Sequence, residues 1–365
     1  MPAMGGWGNV QLPRYNRIMR VVQFEIPESG RRVGIVHDDE VLDITSRHPT
    51  LQRSVDLFDL AQAKGVGLEP CLRNLAGDAT LARHPYFDML AACPGERRPF
   101  LHPAVDHPDG YRVHVAGTGL THLGSMQSRD SMHAEPASDD ATKSDSRRMF
   151  EMGLREGRPA EGCRGVPPEW FYKGNGGILR GHRQSLELPA FALDGGEEPE
   201  IVGCYVIDAC GVPRRLGFSL GNEWSDHATE KLNYLYLAPS KLRQCAVGPE
   251  LVTDSNFEEI TLHCRVRRDG AVIYDSGPLL SGQRHMCHSL ANCEDHHFKY
   301  PQHRVPGDVH VHFFGTSKLS YGERDWVYQA GDEIRIEAPQ FSSPLVNSVV
   351  GGRAAEQRPV VVQGA

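Results

Sequence analysis

Between residues 199 and 338 the sequence is a succession of short apolar runs separated by Gly, Pro, Asn and Asp. They are Ile201 to Ile207, Arg215 to Leu220, Glu259 to Arg267, Ala271 to Tyr274, Val309 to Phe314 and Glu333 to Ala338. Runs this short suit strands, and long helical spacing is rare among them. The larger part of the chain is therefore expected to fold as a β-rich roll or barrel. A smaller unit precedes it. Val21 to Phe24, Arg31 to Val36 and Glu40 to Ile44 read as a three-stranded meander. Residues 50–92 read as helices interrupted by Lys64-Gly65-Val66-Gly67, and the Pro-rich piece 94–108 reads as a linker. The expected fold class is α+β, mostly β, with a small N-terminal α/β domain over 19–100 and a larger domain over 101–365. Residues 125–163, polar and rich in Ser, Asp, Arg and Met, read as a mobile helical lid on the larger domain.

Composition narrows the function. Hydrophobic residues make up 39% of 365, with no apolar run near the length that crosses a bilayer, which argues against a membrane protein. The net charge of -8, with basic residues scattered, argues against nucleic acid as the main partner and leaves small-molecule chemistry. Nine cysteines without a CxxC pair read as reduced thiols in a cytoplasmic protein. Residues 1–18 lack the apolar core of a secretory signal; they read as a leader ahead of Met19, which opens the first strand-like run.

Gly195-Gly-Glu-Glu-Pro-Glu-Ile-Val-Gly203 places three carboxylates at the start of an apolar run. On a strand, Glu198 and Glu200 project to one face, roughly 7 Å apart at about 3.3 Å per residue. Such a pair suits one wall of a hard-cation site, and it also suits an acidic loop that keeps a strand end soluble. Glu223, in Gly221-Asn-Glu-Trp-Ser-Asp-His227, is positioned to complete a triad for Mg²⁺, Mn²⁺ or Ca²⁺. The stretch Asn222 to Asp226 also reads as the cap of a following helix. His285, Cys287, His288, Cys293, His296 and His297 form a second cluster, but their spacings match no common zinc pattern.

Taken in order, Glu198-Pro-Glu200, Gly217-Phe-Ser-Leu-Gly-Asn-Glu-Trp-Ser-Asp226, Pro239-Ser-Lys241 with Val247-Gly-Pro-Glu-Leu251, Phe313-Phe-Gly-Thr316 and Ala330-Gly-Asp-Glu-Ile-Arg-Ile-Glu337 resemble the fumarylacetoacetate hydrolase superfamily. Within it they resemble the sugar-acid branch that includes 2-keto-3-deoxypentonate dehydratases. The likeness runs from about residue 110 to 350, and the meander at Met19 is similar to the family's N-terminal domain. It implies a mixed β-sandwich roll, a divalent metal on Glu198, Glu200 and Glu223, and a homodimer. Glu223 stands where most members have Asp, and Asp226 is read as standing at the position of the family's Arg. Lys241 resembles the active-site lysine, and His122, in Ala116-Gly-Thr-Gly-Leu-Thr-His122, resembles a histidine that ends the first core strand. For substrate contacts the resemblance implies Gly119, Ser125, Tyr172, Lys173 and Thr316.

A metal-chelated 2-keto acid becomes acidic at C3, because the metal stabilises the enolate. Two reactions diverge from that enolate. Loss of hydroxide from C4 dehydrates a 2-keto-3-deoxy sugar acid to 2-oxoglutarate semialdehyde, whereas attack of water on a C4 carbonyl cleaves a diketo acid. Hydrolases of this superfamily are expected to carry a His and Glu pair on the lid, for which His122, His133 and Glu135 are the candidates. The sequence favours the dehydratase, with a C–C hydrolase as the alternative and a non-catalytic sugar-acid sensor as the third reading.

Overall fold

The computed structural model describes residues 18–133, 144–253, 256–352 and 358–365. Of the expected leader, residues 1–17 lie outside this range, as do residues 134–143 of the expected lid, including Glu135.

Among the described residues, one large sheet forms the body. Its main path runs Ala82–Pro85, Glu40–Asp43, Gly30–His37, Arg20–Ile26, Leu251–Val252, Pro213–Asn222, Pro199–Ile207, Val309–Phe313, Val113–Gly119 and Glu169–Asn175. Pairing along it is antiparallel except between Val309–Phe313 and Val113–Gly119. A second sheet runs Ala271–Ser281, Ile260–Arg268, Glu333–Glu337, Leu345–Gly351 and Leu186–Leu188. The expectation of a mostly β fold holds, and every run read as a strand in the larger domain is one. Ala271 to Tyr274 extends to Ser281, because the pairing with Ile260–Arg268 passes through two irregularities and resumes.

The central strand Pro199–Ile207 is buried throughout, and its period of two sorts it between two cores. Val202, Cys204 and Val206 face a core shared with Val113, Val115, Val309 and Val311. The helices Ser54–Ala63 and Leu68–Ala76 close that core with Leu57, Phe58 and Leu72. Ile201, Tyr205 and Ile207 face the other, built with Leu262, Ile334 and Leu345 of the second sheet. Val33 and Val115, far apart along the sheet, share the first core, so the sheet curls around it. Each such side chain contributes about 1.5–3 kcal/mol by leaving water.

The same alternation has a second consequence on Val309–Phe313. Val309, Val311 and Phe313 point into the first core, so His310 and His312 point outward under the helix Leu290–Phe298. There His297 lies with its Nε2 2.9 Å from His310 Nδ1 and its ring 4.6 Å from that of His312. His114, in register with His310 on the next strand, stacks on it at 4.9 Å and meets Asp308 at 3.1 Å, and His303 packs 4.8 Å from His297. Burial, with the neighbouring imidazoles adding, lowers His310 to about 2 and His312 to about 3 and holds His297 well below the ordinary value.

An exposed histidine titrates near pH 6.5, at roughly the value it has in the unfolded chain. Below that pH the unfolded chain therefore binds more protons than the fold. The cluster's contribution is complete above about pH 6.5 and is lost as pH falls toward the depressed values. Calorimetric melting temperature is expected to fall from about pH 7 to about pH 4.5, and to fall less steeply in His312→Phe, which removes an imidazole with neither nitrogen partnered.

Candidate metal centre

The register of one strand pair assembles the site. Pro199–Ile207 and Pro213–Asn222 are antiparallel, with Pro199 opposite Asn222 and Glu200 opposite Gly221. One step further Glu198 lies opposite Glu223, and Glu223 N–H donates to the Glu198 carbonyl at 3.0 Å. Directly opposed residues share a face, as do residues two apart, so Glu198, Glu200 and Glu223 converge at the open end of the hairpin. Their ligand atoms all lie within 4.8 Å of one another and all three are buried. Glu197 takes the other face, where Ser320 and Tyr328 satisfy it at 2.6–2.8 Å. The acidic stretch thus divides into a structural anchor and two members of the triad.

Glycines make room for this convergence. A Cβ on Gly117 would lie 2.5 Å from Glu223 Oε1 and 2.6 Å from the Phe171 ring. Gly315 continues the third strand opposite Glu200 with φ of +90°, and its N–H donates to Glu200 Oε2 at 2.7 Å. That backbone conformation favours glycine.

Lys241, at the end of the helix Leu237–Lys241, is buried among the acids. Its Nζ donates to Glu198 Oε1 and, at 2.9 Å, to Glu223 Oε2, and it lies 4.9 Å from the centre of the Phe171 ring. His227 Nε2 lies 3.1 Å from the same Glu198 oxygen. Burial opposes ionisation of Glu198, but Lys241 and His227 outweigh it and hold Glu198 well below the usual carboxylate range. Burial, reinforced by Glu223 and Glu198, pushes Glu200 well above that range. Burial also raises Glu223 despite Lys241 and Lys173. Lys241 itself is raised, because Glu198 and Glu223 overcome the cost of burying its charge.

This donor set fits a hard divalent cation. Three carboxylates face one ammonium, and Glu200 Oε1 and Glu223 Oε1 are buried without a hydrogen-bond partner. Oxygen ligands of this kind suit Mg²⁺ or Mn²⁺. Among the described residues it is the one convergent group of metal-ligating side chains. The cysteine and histidine cluster at 285–297 disperses instead. His288 meets Asn292, His296 the Gly165 carbonyl and Cys287 the Leu120 carbonyl.

The remaining expected residues divide. Gly119, Ser125 and Thr316 line a cavity of about 20 Å³, together with Glu198, His227, Arg129 and Glu230. Larger clefts, such as the one of about 450 Å³ beside Phe341, hold no comparable cluster of acids. Tyr172 is 42% exposed and packs toward His114 on the opposite side of its strand, so Phe171 is the aromatic that faces the acids. Lys173 is fully buried, and its ammonium is committed to the Trp224 and Lys241 carbonyls at 2.8 Å. It supports the two ligand-bearing segments from beneath instead of reaching into the cavity. His122 bonds Thr121 Oγ1 at 2.9 Å and bridges to Met286; burial lowers it to about 3, with the His285 imidazole adding.

The reading of Asp226 at the family's Arg position needs correction. In the segment Asn-Asp-x-Ser-x-Arg the last position falls on His227, the residue that reaches Glu198. Asp226 caps the helix His227–Leu232 by accepting from Thr229 N at 3.0 Å and also meets Arg243 at 3.1 Å. The stretch thus caps the helix and also carries Glu223 into the convergent group of acids. His227, Arg129 and Glu230 escaped sequence reading. For His227 and Glu230 a signal existed: three residues apart on one short helix, they share the face next to the triad.

A ligand that binds the fold alone stabilises it by mass action. Millimolar Mg²⁺ or Mn²⁺ is expected to raise the melting temperature. Glu200→Gln, which removes an acid destabilised by its neighbours, should melt no lower than the parent without metal and lose most of the response. Gly117→Ala should weaken metal binding, measured by calorimetric titration, by about tenfold or more, because the added methyl displaces Glu223.

No family model matches the chain. A probable 2-keto-3-deoxyxylonate dehydratase of Haloferax volcanii is 24% identical over 328 residues, covering 87% of this chain and 95% of that protein. The solved structure of 2-keto-3-deoxy-D-arabinonate dehydratase complexed with magnesium and 2,5-dioxopentanoate superposes with a TM-score of 0.59 at 17% identity, over 92% of this chain and 99% of that one. Maleylpyruvate hydrolase from Sphingobium sp. SYK-6 superposes with a TM-score of 0.55 at 16% identity, over 92% and 100%. The chain thus shares its fold with these solved enzymes and is similar in sequence to a probable 2-keto-3-deoxyxylonate dehydratase.

Proposed function

We propose that the protein is a metal-dependent dehydratase of a 2-keto-3-deoxy sugar acid of pentonate size, forming 2-oxoglutarate semialdehyde. The observation that carries this reading is the buried triad Glu198, Glu200 and Glu223 with Lys241 among its carboxylates. The relative named a 2-keto-3-deoxyxylonate dehydratase and the neighbour crystallised with magnesium and 2,5-dioxopentanoate support it. Glu198, Glu200 and Glu223 would hold a divalent ion, and the Lewis acidity it would supply is what acidifies C3 of a 2-keto acid.

The chain's own groups do the rest. Lys241 stays protonated between carboxylates and offers a fixed positive charge where negative charge builds on the keto oxygen. His227 keeps Glu198 ionised and oriented. Lys173 ties the Trp224 and Lys241 backbones together, so Glu223 and Lys241 keep their spacing. Gly119, Ser125 and Thr316 line the adjoining space and present polar groups to the substrate. Burial of the three glutamates, Lys173, Lys241 and His227 strengthens each electrostatic contact.

The hydrolytic alternative needs a base beside the triad to activate water. Of the residues expected in that role, His122 bonds Thr121 and pairs through its backbone with Met286, and the dehydratase relative supports the preferred reaction. The reading also makes the protein a cytoplasmic enzyme of pentose and sugar-acid catabolism, acting as a homodimer on a small 2-keto acid. The nine unpaired thiols support the compartment, and no helix among the described residues is long and apolar enough to cross a membrane.

The test is turnover of 2-keto-3-deoxypentonate stereoisomers with Mg²⁺ and with chelator, following the semialdehyde. One isomer is expected to react with metal only, and Glu200→Ala and Lys241→Met should each lower kcat/KM by about 10³-fold or more. Pyruvate released from a 2,4-diketo acid, with no semialdehyde from any isomer, would sink the dehydratase reading in favour of the hydrolase.

A further inference from the structure

Glu230 is the buried acid that neither the triad nor the fold accounts for. It lies on the helix His227–Leu232, one turn beyond His227, with no exposure to solvent. Neither of its carboxylate oxygens has a hydrogen-bond partner. Its charge is balanced by Arg129, whose Nε lies 2.8 Å from Oε1 without the geometry of a hydrogen bond. Arg129 is itself anchored, donating through Nη1 to Glu169 Oε2 at 2.6 Å, where Tyr234 also donates at 2.9 Å. Arg129 thus donates to one oxygen of Glu169 and leaves the lone pairs of Glu230 open.

Those lone pairs belong to the cavity beside the metal centre. Glu230 and Arg129 line it together with Glu198, His227, Ser125 and Thr316, and the charge of Glu230 acts on Lys241. Its volume of about 20 Å³ has room for a water-sized guest, so a substrate needs the helix Leu123–His133, which carries Ser125 and Arg129, to give way. A buried carboxylate without donors is costly unless a ligand supplies them. The donors that fit are hydroxyl groups, because a second acid would repel Glu230 and an apolar tail would leave it unpaired.

We infer that Glu230 recognises the terminal hydroxyl of the substrate while the keto-acid end is held at the triad, and that Arg129, 2.8 Å from its Oε1, holds the carboxylate in place for this purpose. The inference rests on the metal-bound 2-keto-acid reading of the site but not on which reaction follows. Glu230 is then a specificity determinant, which separates hydroxylated sugar acids from plain acylpyruvates. A site built to pair a hydroxyl discriminates against the analogue lacking it far more strongly than an apolar pocket can discriminate a methylene.

The test is calorimetric titration of the Mg²⁺-loaded protein with 2-oxopentanoate and with 5-hydroxy-2-oxopentanoate. Neither ligand has a C4 hydroxyl to lose, so binding is read without dehydration. The parent should favour the hydroxy acid by about tenfold or more, and Glu230→Gln should reduce that preference to about threefold or less while keeping the affinity for 2-oxopentanoate. The ratio between parent and variant cancels any cyclisation of the free hydroxy acid. Glu230→Asp, which keeps the charge but shortens the reach, is the second variant and should also lose the preference. A preference of equal size in parent and variants, or none in the parent, overturns the inference. Loss of the preference in a protein that dehydrates no pentonate upholds it and rejects the dehydratase reading alone.

Discussion

The site depends on a single strand register. Because Glu198 lies opposite Glu223 while Glu200 lies two residues along the same face, three carboxylates meet at the end of one hairpin. A slip of one residue would send Glu198 and Glu200 to the face of Ile201 and Tyr205 and bring Glu197 to the other. The register is strongly specified, because both faces of Pro199–Ile207 are buried in separate apolar cores. Packing energy far from the metal centre thus enforces its geometry.

Electrostatics set the composition around that hairpin. Three buried acids would not all ionise at this spacing, and the structure divides their burden. Lys241 and His227 hold Glu198 charged, whereas Glu200 and Glu223 are driven upward and keep one oxygen each without a partner. Lys173, buried beneath, fastens the backbones on which Glu223 and Lys241 ride. Such an arrangement costs stability when empty and recovers it with a cation, which is the reason to read it as a binding site. A fold selected for stability alone would gain from replacing it with apolar side chains.

Several elements were legible because their physics is local. The alternation in Ile201 to Ile207 and the acids two apart ahead of it predict both the strand and the shared face of Glu198 and Glu200. Lys241 and Thr316 were reached through ordered family likeness, and the structure brings both to the acids or their cavity. Tyr172 and Lys173 were harder. Alternation along Glu169–Asn175 turns Phe171 and Lys173 inward and Tyr172 outward, but which face meets the acids is set by the pairing with Val113–Gly119. Arg129 pairs with acids 40 and 101 residues away in sequence, so no local pattern announces it.

The sequence by itself determined the mostly β class, the acidic pair on one face and the residue types able to hold a hard cation, since these follow from a period of two and from carboxylate chemistry. Only the tertiary structure decided that Glu223 faces Glu198, that Lys241 reaches both, that His122 bonds Thr121 and that Glu230 is left with open lone pairs. Those outcomes depend on register, on the curl of the sheet and on contacts between distant segments, which are settled by how the two cores close and not by any residue's neighbours in the chain.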